Sequence, residues 1–303
     1  MNSTRIIESS KFWLIAGLID AEGSFIVTLS KDSNRNLGYS LKISLEMGLN
    51  YRDKNLLEII KADLQVGEIY FNKSDNTYKW KVSNVEQLYS IIIPFLKTYY
   101  LVSQKRIDFE IFLRIVEIIW LKNHLTLQGL QEIINLKCSL NLGLKENLKI
   151  YFPNTKAFPR PVVAFKGIPN GYLLSAFAEG EACFFIRIYK SPKSKLGYAV
   201  QPVFIITQHS RDRVLMESIA KFFGCGIVKK RKSEACDFTV TSIKSISDII
   251  IPFFEKYPLR GEKLINYNDF KEVVNLMTSK QHLTEEGYKN ILKIKKGMNT
   301  GRV

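Results

Sequence analysis

Long apolar runs, paired cysteines and clustered histidines are what this 303-residue sequence lacks. Its apolar stretches, such as residues 91–96, fall well short of the about 20 residues that a membrane-spanning helix needs. The four cysteines form no CxxC pair and the three histidines are far apart, which argues against a zinc site. Nothing requires a disulfide, so the sequence favours a reducing intracellular compartment and no membrane partner.

Positive charge is what the sequence has in excess. Lys and Arg number 44 against 29 Asp and Glu, which gives a formal net charge of +15. Such an excess attracts polyanions, so nucleic acid is the expected partner. A hydrophobic content of 46% with 24% charged residues is typical of a folded protein. The length leaves room for two compact units of about 150 residues each.

The chain is an internal duplication. The sequences LGY at 37–39 and RD at 52–53 recur 159 residues later, and IIIPF at 91–95 and HLT at 124–126 recur 158 residues later. The ends of the copies also correspond, with IINLKCSLN at 133–141 and ILKIKKGMN at 291–299. Order and spacing kept over this distance indicate two equivalent domains.

A proline-rich segment separates the two copies. Residues 151–170 contain Pro153, Pro159, Pro161 and Pro169, which prohibit a long helix and favour extended chain. We therefore predict an N-terminal domain over 1–150, a linker over 151–170 and a C-terminal domain over 171–303.

Each copy shows the pattern helix, two strands, helix, two strands and further helices. Alternation at period two marks the strands, and apolar residues at helical spacing mark the helices. In the first copy, strands are predicted after Gly23 and at 40–47, 67–73 and 78–83, with helices at 53–64, 85–97 and 104–120. The predicted fold is α+β, with two pseudo-symmetric αββαββα domains. Each domain has a four-stranded antiparallel sheet, covered by helices on one face and open on the other.

The segments that open the copies, LIAGLIDAEGSF at 14–25 and LLSAFAEGEACF at 173–184, lie 159 residues apart. Gly17 and Ala21 share one face of the first helix, and Ala176 and Gly180 share one face of the second. Small residues allow a close approach, so these faces are predicted to pack together. Taken singly, each helix is better explained as an ordinary core element with small residues for packing.

The acids that end these helices favour a functional role. Packing of the two helices would bring Glu22 and Glu181 close together at helix C-termini, where negative charge is unfavourable without a cation. A divalent metal removes that cost, and the carbonyls of Ala21 and Gly180 would complete a set of oxygen ligands suited to Mg²⁺. Beside a basic surface, such a site is suited to phosphodiester hydrolysis.

The motif IAGLIDAEG at 15–23 resembles the sequence that names the LAGLIDADG homing endonucleases. The two copies, the IIPF helix and the HLT…KKGMN ending resemble the single-chain, intron-encoded branch of that family. The resemblance implies a monomer with two sheets that form a saddle on double-stranded DNA. It implies Mg²⁺- or Mn²⁺-dependent cleavage of a long asymmetric site with 3′ overhangs, with Ca²⁺ binding but not supporting cleavage. It also implies an organelle gene and a mitochondrial location.

Glu22 and Glu181 match the metal-binding acids of the family motif. Asp20 and Glu179, two residues earlier, are more readily explained as structural or capping groups. The second motif copy departs from the family pattern at Ala176, Glu179 and Ala182. These departures weaken the helix-packing argument there but leave the acidic ligand in place.

Other residues match catalytic positions by their place in the repeat. Lys105 and Lys263 are equivalent and lie where the family commonly has a lysine, although each alone is equally well explained as a solvent-facing helix lysine. Gln208 resembles a site-lining glutamine of the family, whereas Leu49 takes that place in the first copy. The two half-sites are therefore expected to be chemically unequal.

DNA-reading residues are predicted on the open sheet faces, because a β-ribbon fits the major groove. The first copy supplies Ser24, Ile26, Thr28, Ser30, Ser40, Lys42, Ser44 and Glu46, with Glu68, Tyr70, Asn72, Tyr78 and Trp80 on the second hairpin. The second copy supplies Phe185, Arg187, Tyr189, Gln201, Lys229 and Arg231.

Two alternative functions remain open. An intron maturase would use the basic surface to bind its host intron RNA and assist splicing, but RNA binding has no need of the acid pair. A cleavage-silent DNA-binding protein is compatible with the departures around Ala182. The intact acids favour the endonuclease.

Overall fold

A computed structural model describes residues 2–141, 143–144, 146–162 and 164–299. In the first half the strands are β1 (Gly23–Lys31), β2 (Tyr39–Asn50), β3 (Glu68–Asn72) and β4 (Thr77–Val82). The helices are α1 (Asn2–Glu22), α2 (Lys54–Leu64), α3 (Val85–Gln87), α4 (Ile93–Thr98), α5 (Lys105–Trp120), α6 (Leu127–Lys137) and α7 (Glu146–Tyr151). A π-helical turn, Leu88–Ile92, joins α3 to α4.

The second half repeats this order. Its strands are β5 (Ala182–Lys190), β6 (Tyr198–His209), β7 (Ile227–Lys230) and β8 (Ala235–Val240). Its helices are α8 (Gly171–Glu181), α9 (Arg213–Phe223), α10 (Ile243–Ser245), α11 (Ile251–Lys256), α12 (Lys263–Thr278) and α13 (Glu285–Lys296). Every helix within the described residues is too short or too polar to span a lipid bilayer.

Each half contains a four-stranded antiparallel sheet, as predicted. The strand orders are β1-β2-β4-β3 and β5-β6-β8-β7. The registers match as well, since Gly23 pairs with Met47 in the first sheet and Ala182 with Ile206 in the second. Each motif helix runs directly into the first strand of a sheet.

The chain forms two compact units, and helix α1 groups with the second. One unit is Glu22–Phe165, and the other combines Met1–Ala21 with Lys166–Val303. This grouping differs from a division at residue 150, because α1 packs closely on α8. Gly17 of α1 faces the Leu173 carbonyl and Ala176 of α8. A Cβ added to Gly17 would lie 2.8 Å from the Ala176 Cβ.

Matched phenylalanines anchor the two cores. Phe25, in β1, lies 5.1 Å from Phe112 between ring centroids. Its counterpart Phe184, in β5, lies 5.1 Å from Phe204 and 5.4 Å from Phe270. All five rings are almost completely buried. The apolar positions of each first strand therefore face the helices, and the alternate positions face away.

The repeated HLT sequence is a helix cap. The Thr126 hydroxyl accepts a hydrogen bond from the Gly129 amide at 3.0 Å, at the start of α6. Thr284 does the same for Gly287 at 3.1 Å, at the start of α13. A threonine at this position satisfies an amide that the helix itself cannot.

The asparagine that ends each copy ties the chain end to the sheet. Asn141 and Asn299 adopt left-handed backbone conformations, with φ of 52° and 53°. Their side-chain amides donate hydrogen bonds to the carbonyls of Phe25, at 2.6 Å, and Phe184, at 3.0 Å. The sequence match between the ends thus reflects one structural role.

The described part of the linker is non-helical after Tyr151, as predicted, but it is bound to the first unit. The Phe158 amide donates to the Asn135 carbonyl at 3.1 Å. Arg160 donates to the Ser139 carbonyl at 2.6 Å and forms a 3.0 Å ion pair with Asp108, whose side chain is 7% exposed. The segment is therefore anchored to α5 and α6.

Replacing Gly17 by alanine should destabilise the unit that contains α1 and α8. The added Cβ would overlap the Leu173 carbonyl and Ala176, and overpacking of this kind costs about 1–3 kcal/mol. Thermal unfolding followed by circular dichroism measures the loss. The control is Gly48→Ala, since the nearest atom to a Cβ there is a flexible Lys79 carbon at 3.5 Å. Equal melting temperatures for the two variants would contradict a tight helix contact.

Candidate nucleic-acid interface and metal-binding acids

The two motif helices end at the predicted acids. Helix α1 ends at Glu22 and α8 at Glu181, and both residues are half-buried. The close contact of Gly17 with α8 confirms that the small-residue faces of the two helices pack. The joint use of the two acids stays a prediction.

Lys263 lies at the C-terminal end of α8. Its ammonium donates hydrogen bonds to the Gly180 carbonyl at 3.0 Å and the Ala182 carbonyl at 2.5 Å, on either side of Glu181 in the chain. The last carbonyls of a helix lack intrahelical partners and attract cations. Lys263 therefore lies beside the second acid, and its catalytic role stays a prediction. Lys105 starts α5 as Lys263 starts α12.

Glu179 has a structural role, as the sequence predicted. Its carboxylate accepts hydrogen bonds from the backbone amides of Arg260, at 2.9 Å, and Gly261, at 3.1 Å. This loop leads directly into α12, so Glu179 helps to position Lys263. Asp20, its counterpart in α1, is 2% exposed.

The thiol of Cys183 lies beside the same lysine. Burial raises the pKa of Cys183, and the nearby charge of Lys263 opposes that shift. The thiol is therefore neutral near pH 7. It adds no negative charge beside the Lys263 ammonium.

The oxygen atoms around Glu181 fit a divalent cation. The Gly180 and Ala182 carbonyls already attract one cation, the Lys263 ammonium, and a carbonyl oxygen has two lone pairs. No group of three or more His, Cys, Asp or Glu residues suited to a metal occurs in the described ranges. A metal here would accordingly depend on few protein oxygens, with water and phosphate oxygens as its other ligands, as Mg²⁺ often does.

The open face of the first sheet carries most of the predicted residues. The β1–β2 register places Ser24, Ile26, Thr28 and Ser30 opposite Glu46, Ser44, Lys42 and Ser40, respectively. The β3 residues of this face are Glu68, Tyr70 and Asn72, paired with Lys81, Lys79 and Thr77. The prediction that Ser44 is available to contact DNA is wrong. Its side chain is buried, with 4% exposure, and its hydroxyl donates a hydrogen bond to the Glu46 carboxylate at 2.8 Å.

Tyr78 and Trp80 were wrongly assigned to this face. Trp80 is fully buried, and its indole donates to the Val66 carbonyl at 3.0 Å. Tyr78 packs on Phe71 with ring centroids 4.9 Å apart, on the helix-covered side. Both aromatic residues belong to the core side because the alternation in β4 has the opposite phase.

Lys79 and Lys81 are the basic residues of β4 on the open face, and sequence reasoning missed them. Lys81 forms a 2.7 Å ion pair with Glu46, its cross-strand neighbour. The hydrogen bond to Glu46 raises the pKa of Lys81, so this lysine stays charged at neutral pH. The alternating sequence TYKWKV at 77–82 indicates a strand with two different faces. The prediction assigned these two faces the wrong way round.

A hollow of about 450 Å³ adjoins this face. Its lining includes Lys42, Glu46, Lys81 and His124. Burial lowers the pKa of His124, which keeps the imidazole neutral near pH 7. The positive charge of the hollow therefore comes from the lysines.

The open face of the second sheet matches the prediction. The register pairs Arg187 with Gln201 and places Phe185, Tyr189 and Lys229 on the same side. Arg187 donates to the Gln201 side chain at 3.3 Å. Arg231 follows β7 and joins this face through Asp237 and Thr207, which sequence reasoning did not identify.

Gln208, predicted as a site-lining residue, is not on the open face of β6. It pairs directly with Cys236, which is 1% exposed, so it points to the helix-covered side of the second sheet. Ile205 and Thr207 occupy the open side of β6 instead. The site-lining role of Gln208 stays a prediction, since the Ala182–Ile206 pair places this part of β6 next to the end of α8.

Sequence comparison decides the family. The family model described as LAGLIDADG endonuclease matches residues 15–116 and 174–274, one copy in each half. The chain belongs to the LAGLIDADG endonuclease family. This family depends on divalent metal ions.

Solved LAGLIDADG structures share the whole fold. The crystal structure of the I-LtrWI homing endonuclease bound to target DNA is 52% identical, with a TM-score of 0.95, and the match covers 98% of this chain and 100% of that one. The structure of I-SmaMI bound to cleaved DNA is 37% identical, with a TM-score of 0.93, and the match covers 96% and 98%. I-SmaMI is also known on uncleaved target with calcium ions, at 37% identity and a TM-score of 0.92 over 95% and 98%.

Several curated relatives are named as intron-encoded proteins of fungi. The probable intron-encoded endonucleases 3 and 2 of Neurospora crassa are each 36% identical, over 92% and 94% of this chain. The chain spans 52% and 64% of the lengths of these relatives. A more distant relative, from Podospora anserina, is an uncharacterized protein in ND4 intron 1, 33% identical over 38% of this chain and 26% of its own length.

Replacing Glu179 by glutamine should loosen the loop that precedes α12. An amide supplies one acceptor oxygen where the carboxylate supplies two, so one of the Arg260 and Gly261 amides loses its partner. A loss of about 1–3 kcal/mol in the free energy of unfolding is expected, measured by urea denaturation. Glu217→Gln is the control, because Glu217 forms only an exposed helix pair with Arg213. Equal losses in both variants would contradict the anchoring role.

Proposed function

We propose that this protein is a site-specific homing endonuclease that makes a double-strand break in a long, asymmetric DNA target. It hydrolyses one phosphodiester bond in each strand and leaves 3′ overhangs. The observation that carries the proposal is that each compact unit contains one acid from the end of a motif helix and one open sheet face. Glu22 accompanies the β1–β4 sheet, and Glu181 accompanies the β5–β8 sheet.

Glu22 and Glu181 are the proposed metal-binding acids, with the carbonyls of Ala21 and Gly180 as further ligands. The hard oxygens of these groups are suited to Mg²⁺, and Mn²⁺ is a substitute. When bound, such a metal supplies phosphate polarisation, a more acidic attacking water and stabilisation of the leaving oxygen. Ca²⁺ is expected to support binding without cleavage, in line with the uncleaved I-SmaMI complex.

Lys263 and Lys105 supply fixed positive charge for the scissile phosphates. Lys263 is held at the end of α8 by two carbonyls, so its positive charge lies beside Glu181 and near any phosphate bound there. Positive charge positioned before the reaction stabilises the charge that develops on phosphate oxygens. Lys105 is the proposed equivalent in the first unit.

The two open sheet faces are the proposed DNA-reading surfaces. A β-ribbon fits the major groove, and the exposed Arg, Lys, Asn and Gln side chains of these strands are types that contact base edges. The corrected set for the first sheet includes Lys79 and Lys81 in place of Tyr78 and Trp80. A net charge of +15 favours association with the phosphate backbone.

The protein is proposed to act as a monomer, because the duplication supplies both halves of the enzyme in one chain. The intron-encoded relatives support a gene within an intron, and the ND4 intron relative supports a mitochondrial genome. The DNA site is then the sequence at which the host intron is inserted.

Glu22→Gln and Glu181→Gln should each reduce cleavage by at least about 100-fold while DNA binding persists. The amide keeps the shape of the side chain but removes the negative charge that a divalent metal requires. The substrate is a plasmid carrying a duplex selected by the wild-type protein from a randomised library, incubated with Mg²⁺. Glu58→Gln, at an exposed pair with Lys54, is the control and should cut normally.

Cleavage by Glu22→Gln at the wild-type rate would contradict the proposed role of this acid. A wild-type protein that binds the selected duplex but never cuts it would favour the cleavage-silent alternative. Acceleration of host intron splicing without any cleavage would favour the maturase.

A further inference from the structure

Arg231 is held in a closed hydrogen-bonded group on the open face of the second sheet. Its Nε donates to Asp237 Oδ2 at 2.6 Å, and its Nη2 donates to Thr207 Oγ1 at 3.3 Å. The Thr207 hydroxyl in turn donates to Asp237 Oδ1 at 2.8 Å. Each of the three side chains therefore fixes the other two.

The strand register explains how these residues meet. Asp237, in the middle of β8, pairs with Thr207 on one side and Lys229 on the other. The Asp237 side chain is 15% exposed, whereas that of Arg231 is 49% exposed. The carboxylate thus lies at the base of the group, and the guanidinium extends from it to the surface.

The contacts leave the outer end of the guanidinium available for a ligand. Arginine has five N–H donors in a planar fork, and two of them are used here. Within the described residues the structure assigns no protein acceptor to Nη1. The N–H groups at the end of the fork suit a ligand with two adjacent acceptors, such as O6 and N7 of guanine.

The equivalent positions in the first sheet lack this group. Asp237 corresponds to Lys79, which pairs with Gly48 and Tyr70 as Asp237 pairs with Thr207 and Lys229. Asn72 stands where Arg231 stands. Since the first sheet folds in the same register without it, the fold does not require the group.

The charge of Asp237 indicates which part of DNA Arg231 contacts. A carboxylate cancels much of the attraction between an arginine and a phosphate, so it is unfavourable beside a residue that serves only to bind the backbone. Orientation of a planar fork is a different requirement, and a fixed acceptor at Nε meets it. Preorganisation also reduces the side-chain entropy lost on binding.

We propose that Arg231 recognises one guanine in the DNA target, and that Asp237 and Thr207 are the residues that position it. This inference rests on the proposed DNA-binding function and assigns one specificity contact within it. The second sheet should therefore discriminate more strongly between bases at this position than the first sheet does at the corresponding position.

The test is selection of bound duplexes from a randomised library by the full-length wild-type protein and by variants. The wild type should select guanine at one position where Arg231→Met and Asp237→Asn no longer do. A reduction of at least about tenfold in the preference for guanine is expected, because one bidentate contact gives discrimination of this size. Asp237→Glu keeps a carboxylate and should restore part of the preference.

Two further measurements separate base reading from other roles. Arg231→Lys keeps the charge, so its binding should keep the wild-type salt dependence. Arg213→Lys is the matched control, because Arg213 forms a 2.7 Å pair with Glu217 on α9 and should keep the full preference. Melting temperatures of all variants report whether each folds.

Retention of the guanine preference by Arg231→Met would overturn the inference. So would uniform weakening for all sequences in Arg231→Met with a shallower salt dependence, since that is the result expected of a phosphate contact. Failure of the wild type to select any sequence would overturn this inference and the proposed function together. Selection without Mg²⁺-dependent cleavage would overturn the endonuclease activity alone and leave Arg231 as a reader.

Discussion

The contact between α1 and α8 at Gly17 is the constraint on which the arrangement of the motif helices depends. A side chain larger than hydrogen at this position would overlap the Leu173 carbonyl and Ala176. The backbones can therefore approach closely only because both faces are made of small residues. Each of the two helices ends where the first strand of a sheet begins. The alanine in the second motif copy, a departure from the family pattern, is accommodated because Gly17 lies opposite it.

The end of α8 shows how a structural and a chemical role divide between two neighbouring acids. Glu179 satisfies two backbone amides of the loop before α12, and that loop delivers Lys263 to the carbonyls flanking Glu181. Helix carbonyls without intrahelical partners attract positive charge, whether from an ammonium group or from a metal ion. The lysine and the acid thus belong to one electrostatic arrangement, which supports their proposed roles at a scissile phosphate.

The duplication has preserved the scaffold and allowed the sheet faces to diverge. The threonine caps, the terminal asparagines and the core phenylalanines occur in both copies with the same contacts. On the open faces, by contrast, Glu46 and Lys81 form an ion pair in one sheet, and Arg231, Asp237 and Thr207 form a different group in the other. The proposed asymmetric DNA target would require such inequality, since identical faces would read identical half-sites.

The sequence by itself determined the family, the repeat and the order of strands and helices, and it supplied the proposed acids. These follow from local periodicity and from spacing kept between copies. Only the tertiary structure decided which face each strand presents: Trp80 is buried, Lys79 and Lys81 face outward, and Gln208 lies across from Cys236. In a strand, a phase error of one residue exchanges the two faces, and aromatic residues are compatible with either. The hydrogen bonds from Arg231 to Asp237 and Thr207 could not be predicted from the sequence for a similar reason. Cross-strand register brings together residues that are distant in the chain.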